Sequence, residues 1–179
     1  KRPQMEKDDW SNFCKKINEM AKRLEDEGMP LAYHHHMGTV IESQQDTVRL
    51  LENTNDSVKL TLDTGHMLFA GGNSLKIIKE FGNKIIHIHC KDMRKNVLEK
   101  AVKQDLSFRH AFLEGAFTVP GDGCIDYKPI LNELKKINYD NWFVVEAEQD
   151  PKKANPLEYA IKGYAYLTKT LRDTGFNIQ

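Results

Sequence analysis

Four short apolar runs in this chain each end in a residue able to bind a metal. Residues 30–33 lead into His34, His35 and His36, residues 58–62 into Asp63, residues 85–88 into His89, and residues 142–145 into Glu146. Two imidazoles and two carboxylates make a mixed nitrogen and oxygen donor set, suited to Mn2+, Co2+ or Mg2+ more than to a structural zinc. The intervals are 29 residues from His34 to Asp63, 26 from Asp63 to His89 and 57 from His89 to Glu146. A strand, a helix and two loops take about 25 to 30 residues, so the last interval reads as one such unit plus an insertion. Parallel strands joined by helices point the same way, and their C-terminal ends share the face on which β/α barrels build active sites.

Further groups surround these ends. Side chains alternate along a strand, so His34 and His36 face one way and His35 the other. Asp63 directly follows an apolar strand, where a carboxylate is costly unless paired or metal-bound. His66, one loop step on in Leu62-Asp63-Thr64-Gly65-His66, is near enough to donate a proton or bind a substrate hydroxyl. His87 and His89 share a side; His89, nearer the strand end, is the better ligand and His87 a deeper core or supporting group. Lys91 could polarise a carbonyl or stabilise an enolate oxygen. Asp92 could hold Lys91 or a histidine in place, and an ordinary salt bridge between the two is nearly as good a reading. Glu146 and Glu148 alternate with apolar residues and face inward together; Glu146 is the expected ligand, and Glu148 contacts substrate or orients a ligand. Glu42 is a reserve carboxylate at what reads as a helix start. Pro120-Gly121-Asp122-Gly123 is a tight turn able to form a lid or substrate wall. Arg94 and Arg109 could bind substrate oxygens, with surface salt bridges the default for both.

The elements that position these groups follow from spacing. Trp10, Phe13, Ile17, Met20, Ala21 and Leu24 make one apolar stripe on a helix over 8–27, and Gly28 stops it. The first strand opens at Pro30 and ends at Gly38. A helix over 46–53, a strand to Asp63, a loop through Gly71-Gly72-Asn73 and a helix capped by Ser74 follow. Residues 91–126 break the rhythm, with one amphipathic piece carrying Val97, Leu98, Ala101, Val102 and Leu106. A helix over 127–137, the strand to Glu146 and a helix over 156–171 complete the order α-βα-βα-β-loop-α-βα. That order predicts an α/β fold with a parallel sheet covered by helices. One domain over 1–179 is expected, with 92–126 as an inserted active-site loop. Four strands beginning after a helix look like the C-terminal half, four βα units, of a (β/α)8 TIM barrel. A half barrel has two exposed strand edges that invite pairing, so the chain is expected to be a C-terminal fragment, a trimmed product or a half that forms a homo-oligomer, the fragment being favoured.

Composition narrows the function class. The chain has 179 residues, 40% of them hydrophobic, which is enough for a core. With 26 basic and 26 acidic residues the net charge is zero, and a nucleic-acid partner is disfavoured. Cys14, Cys90 and Cys124 are odd in number and form no CxxC pair, which predicts reduced thiols and a cytoplasmic protein. No apolar run approaches the roughly 18 residues of a membrane helix.

Taken together, Tyr33-His34-His35-His36-Met37-Gly38-Thr39-Val40, Leu62-Asp63-Thr64-Gly65-His66, His87-Ile88-His89-Cys90-Lys91-Asp92, Phe117-Thr118-Val119-Pro120-Gly121-Asp122-Gly123 and Glu146-Ala147-Glu148-Gln149-Asp150-Pro151 resemble the inosose dehydratase family of the xylose isomerase-like barrel superfamily. The resemblance covers about residues 30 to 171. The strand-end pattern is shared with sugar isomerases and epimerases, whereas the triple-histidine strand and the two last runs are more particular. It implies a barrel and removal of water from 2-keto-myo-inositol (scyllo-inosose), in inositol catabolism, to give a trihydroxycyclohexane-dione. It also implies Mn2+ or Co2+ as the metal, with Mg2+ or Zn2+ as alternatives. Glutathione is linked to some members, and no residue pattern here calls for it. The metal positions carry over to His34, Asp63, His89 and Glu146; His34 stands where related isomerases hold a glutamate, with Glu42 as its substitute. The resemblance then implies Glu146 or Glu148 as base, His66 or His36 as acid, Lys91 as oxyanion stabiliser, and His36, Arg94 and Asp122 against the substrate. Competing expectations are a sugar isomerase or epimerase on the same site, and an inactive half barrel serving as an assembly module.

Overall fold

The apolar stripe of the first helix forms as expected in a computed structural model that describes residues 2–178. In α1 (Lys7–Asp26), Trp10, Cys14, Ile17 and Ala21 are buried, and Gly28 at φ 75° turns the chain out of the helix. Then come β1 (Ala32–His34), α2 (Gln44–Glu52), β2 (Lys59–Asp63), α3 (Thr64–Phe69), α4 (Ser74–Phe81) and β3 (Ile85–Cys90). The segment after β3 holds β4 (Asp92–Met93), α5 (Lys95–Lys103), α6 (Phe108–Leu113) and β5 (Phe117–Thr118), before α7 (Tyr127–Lys136), β6 (Trp142–Val145) and α8 (Pro156–Asp173).

β1, β2, β3 and β6 form one parallel sheet in that order. Asp63 is level with His89, and His89 with Val144, so the strand ends form one rim. Leu60, Leu62, Ile88 and Cys90 point to the helix side, where they pack with Ile77, Ile78, Leu131, Leu134, Leu167 and Leu171. The alternating residues Thr61, Asp63, His87 and His89 therefore line the opposite face. β2 is buried on both faces, whereas Trp142 at the start of β6 is 74% exposed. No helix among the described residues is long and apolar enough to cross a membrane.

Several local expectations change. Residues 64–73 are not all loop: the Asp63 side chain accepts from His66 N–H and caps α3. The cap of α4 is Asn73, which accepts from Lys76 N–H, and Ser74 is already inside the helix. α2 starts at Gln44, two residues early, because Ser43 and Asp46 form a reciprocal capping box. The stretch 91–126 holds a second helix, α6, capped by Ser107, and a two-stranded antiparallel piece, β4 with β5. It has its own apolar cluster of Met93, Ala101, Ala111, Ala116 and Phe117, closed by Phe69 of α3.

Candidate functional site

Asp63 ends β2 fully buried, and its two oxygens divide their work. Oδ1 accepts from His66 N–H at 2.8 Å. Oδ2 faces His34 Nε2 at 3.4 Å, His89 Nδ1 at 3.6 Å and Lys91 Nζ at 3.2 Å. Across β3, His89 Nδ1 lies 2.7 Å from Glu146 Oε2. Lys91 is also fully buried; its Nζ is 3.3 Å from Glu146, 3.0 Å from Glu148 and 3.0 Å from His66 Nε2. The path of that side chain depends on Gly65, where a Cβ would come within 2.7 Å of Lys91 Cγ. Thr64 Oγ1 and Tyr127 OH both donate to Lys91 O, fixing its backbone. Beyond the ammonium, Glu148 faces His36 Nε2 at 3.4 Å and His66 Nε2 at 3.1 Å.

Charge settles around the lysine. Burial alone would raise Asp63 and lower Lys91. The facing His34 and His89 imidazoles, with the Lys91 charge, hold Asp63 well below the usual carboxylate range, and the three carboxylates keep Lys91 raised. The same balance lowers Glu146, through His89 and Lys91, and Glu148, through His36, His66 and Lys91. Asp63 and Glu146 push His89 up to about 9. The two other site histidines diverge. His36 is raised by Glu148, and its Nδ1 donates to Met37 O at 2.8 Å, so both ring nitrogens face acceptors. His66 is lowered by burial; its Nδ1 accepts Met37 N–H at 3.5 Å, and its Nε2 faces both Glu148 and the Lys91 ammonium.

Donor atoms suited to a cation meet here. Asp63, His89 and Glu146 form one triad and His34, Asp63 and His66 another, each offering ligand atoms within 4.8 Å of one another. Ligands about 2.1 Å from one octahedral cation stand roughly 3 Å apart, close to the 2.7 to 3.6 Å spacings seen around Asp63 and His89. His89 Nδ1 and Glu146 Oε2 are buried, face each other and make no well-formed hydrogen bond among the described residues. That is the arrangement a shared cation satisfies, so the residues fit a divalent metal. A third triad, His36, His66 and Glu148, lies across Lys91.

The structure brings His34, His36, Asp63, His66, His89, Lys91, Glu146 and Glu148 together. Glu42 is elsewhere: its carboxylate accepts from Gly38 N–H and lies 3.8 Å from Arg2, so the β1 contribution at the cluster is His34. Asp92 does not hold Lys91. It is buried and accepts from the backbone N–H groups of Met93, Gly121 and Ile125, anchoring the 120–123 turn. Arg94 and Asp122 pair with each other at 2.9 Å; Arg94 also donates to Gly115 O, Phe117 O, Thr118 and Tyr159, and Asp122 also pairs with Lys162, so both brace the 91–126 segment and tie it to α8. Arg109 is exposed on α6. Sequence reasoning passed over Phe108, whose ring centroid is 5.1 Å from His36 and 5.8 Å from His66. It also passed over His35, whose Nε2 accepts Asp63 N–H at 3.2 Å. The strand alternation that turned His35 away from the site was the signal available for it.

The family described as xylose isomerase-like TIM barrel matches residues 1–170. The chain is similar to the rhizopine catabolism protein MocC of Rhizobium meliloti, 43% identical over 178 residues, which is 99% of this chain and 55% of that protein. It is also similar to an inosose dehydratase of Clostridium beijerinckii, 44% identical over 170 residues, covering 94% of this chain and 56% of the relative. The chain thus spans about half the length of these curated relatives. Among solved structures, the IOLI protein with a bound zinc atom superposes with a TM-score of 0.73 at 20% identity, over 98% of this chain and 61% of that one; at that identity the likeness speaks for the fold alone.

Proposed function

We propose, starting from the fact that the chain belongs to the xylose isomerase-like TIM barrel family, that it carries the metal-binding part of a hydro-lyase site that dehydrates 2-keto-myo-inositol. The observation that carries this reading is the buried Lys91 ammonium, set among Asp63, Glu146 and Glu148 beside two histidines of different proton affinity. The inosose dehydratases among the relatives supply the substrate class.

His34, Asp63, His89 and Glu146 would hold the cation, Mn2+ or Co2+ by the donor set. When bound, it supplies Lewis acidity toward a ketone oxygen and the neighbouring hydroxyl. The remaining work falls to side chains. Glu148 takes the proton from the carbon beside the carbonyl, since Glu146 is committed to the cation triad, and His66 and His36 hold its carboxylate in place. As that C–H bond breaks, its electron pair moves toward the carbonyl oxygen, and Lys91 offsets the charge that develops there. His36, whose protonated form Glu148 favours, gives its proton to the β-hydroxyl as the C–O bond breaks, so water leaves and the ring gains a conjugated ketone. The low proton affinity of His66 suits it to hold a substrate hydroxyl. Arg94 and Asp122 are paired with each other and take no part in these steps.

The test is metal content and turnover of 2-keto-myo-inositol on the same Mn2+- or Co2+-loaded protein, followed by the ultraviolet absorbance of the dione. About one ion per chain and a dione product are expected, and both should vanish in Asp63→Ala and His89→Ala. Retained turnover in either variant, or a product in which the proton has returned without loss of water, would overturn the proposal; the second outcome would indicate an isomerase or epimerase.

A further inference from the structure

Phe108 is the first residue of α6, held at its entry by the Ser107 cap, and its ring reaches back across the 91–126 segment to the strand ends. Its centroid is 5.1 Å from that of His36, 5.8 Å from His66 and 5.8 Å from Phe117, and Phe117 is 5.1 Å from His66. The His36 and His66 rings are 3.7 Å apart between them. One side of these imidazoles therefore meets Glu148 and Lys91, and another meets an aromatic wall. Phe108 is only half-buried, unlike Phe117. Gly38, in the loop after β1, lies beside Phe108: a Cβ there would be 3.9 Å from the Phe108 Cβ, an ordinary contact.

A cluster with charge on one side and an aromatic ring on another suits a particular ligand shape. A six-membered ring whose hydroxyls are equatorial turns its polar groups outward around the rim and presents axial C–H bonds on its faces. An aromatic side chain offers a flat apolar surface to such a face. An open-chain polyol or ketose of the same carbon count has no comparable flat C–H face. We propose that Phe108 is a specificity-determining residue that stacks on the C–H face of a cyclic polyol or cyclic ketone and disfavours open-chain sugars. This rests on the proposed function for the site but names a determinant outside the strand ends, carried by the segment that breaks the βα rhythm.

The experiment is equilibrium binding of myo-inositol and of sorbitol to the metal-loaded protein by calorimetry, in wild type, Phe108→Ala, Phe108→Leu and Phe108→Trp. Thermal unfolding checks that each variant folds, and Phe108→Leu guards against a cavity effect in the alanine variant. Wild type should prefer myo-inositol. Alanine and leucine should weaken myo-inositol binding by about tenfold, the range of one aromatic contact, and leave sorbitol unchanged; tryptophan should retain most of the preference. On 2-keto-myo-inositol the same loss should appear in KM, with kcat within about twofold. Equal weakening of both polyols, full affinity in the leucine variant, a change in kcat alone, or no binding of either polyol by wild type would each overturn the assignment. Preferential, Phe108-dependent binding of myo-inositol without dehydration of the ketone would sink the proposed reaction and leave the stacking role standing.

Discussion

His35 serves the site without entering it. Its Nε2 accepts Asp63 N–H, so its proton is on Nδ1, which is buried without a partner among the described residues. Burial pushes its pKa down to about 3, against about 6.5 for an exposed histidine. The folded state therefore resists a proton that the unfolded chain accepts: the stability is fully present above about pH 6.5 and is lost as pH falls toward 3, at up to about 1.4 kcal/mol per pH unit. His35→Gln keeps an acceptor near the Nε2 position and removes the titration, so urea unfolding between pH 5 and 6.5 should show a flatter slope than wild type; equal slopes would contradict the assignment. Lys91 gives the opposite case. In Lys91→Met the buried Asp63 and its neighbours lose their cation, at a cost of about 3–5 kcal/mol in metal-free protein, and added Mn2+ should restore more of that loss than it adds to wild type. An unchanged urea midpoint in EDTA would refute this. The convergence of the strand-end residues was legible because a carboxylate or imidazole after an apolar run has few cheap explanations. The roles of Asp92 and Arg94 were not, because their partners lie some 20 to 30 residues away in a segment without periodicity.

At the scale of elements, long amphipathic pieces such as α1, α7 and α8 were readable, and the six-residue α3 and α6 were not. Two turns of helix carry too little periodicity to stand out, and each depends on a cap, Asp63 or Ser107. In the case of Asp63 the signal was masked by the same residue's reading as a metal ligand. Packing between elements was also hidden. Gly163 sits mid-way along α8, where alanine would gain about 1 kcal/mol of helix propensity. An added Cβ, however, would come within 2.7 Å of both Val119 Cβ and Val145 Cγ1, joining α8 to the end of β6 and the turn after β5. Overpacking of that kind costs about 1–3 kcal/mol and should win. Gly163→Ala is therefore expected to lower the urea midpoint, and a raised midpoint would show that the helix can move aside.

At the scale of the whole molecule, the site is where the sheet is tied together. His34 comes from β1, Asp63 from β2, His89 and Lys91 from the end of β3, and Glu146 and Glu148 from the end of β6, so the cluster spans the sheet from one edge to the other. The interval rhythm made that convergence readable; the openness of the inner face, with Trp142 exposed at the start of β6, was not, because side-chain type says little about which strands go uncovered. The chain's net charge of zero conceals a local imbalance, in which three carboxylates share one lysine and depend on His89, raised to about 9, for further positive charge. A divalent cation bound to the folded sheet and not to the unfolded chain stabilises it by mass action, about 2.7 kcal/mol at a concentration one hundred times Kd. Thermal unfolding should therefore shift upward with Mn2+ or Co2+, continue to rise with the logarithm of their concentration, and return on adding EDTA. The shift should be lost in Asp63→Ala, which removes the carboxylate shared by both cation triads, and only reduced in His34→Ala, which leaves the Asp63, His89 and Glu146 triad whole. An equal shift in Asp63→Ala would place the cation away from the strand ends and separate the stability of the sheet from its chemistry.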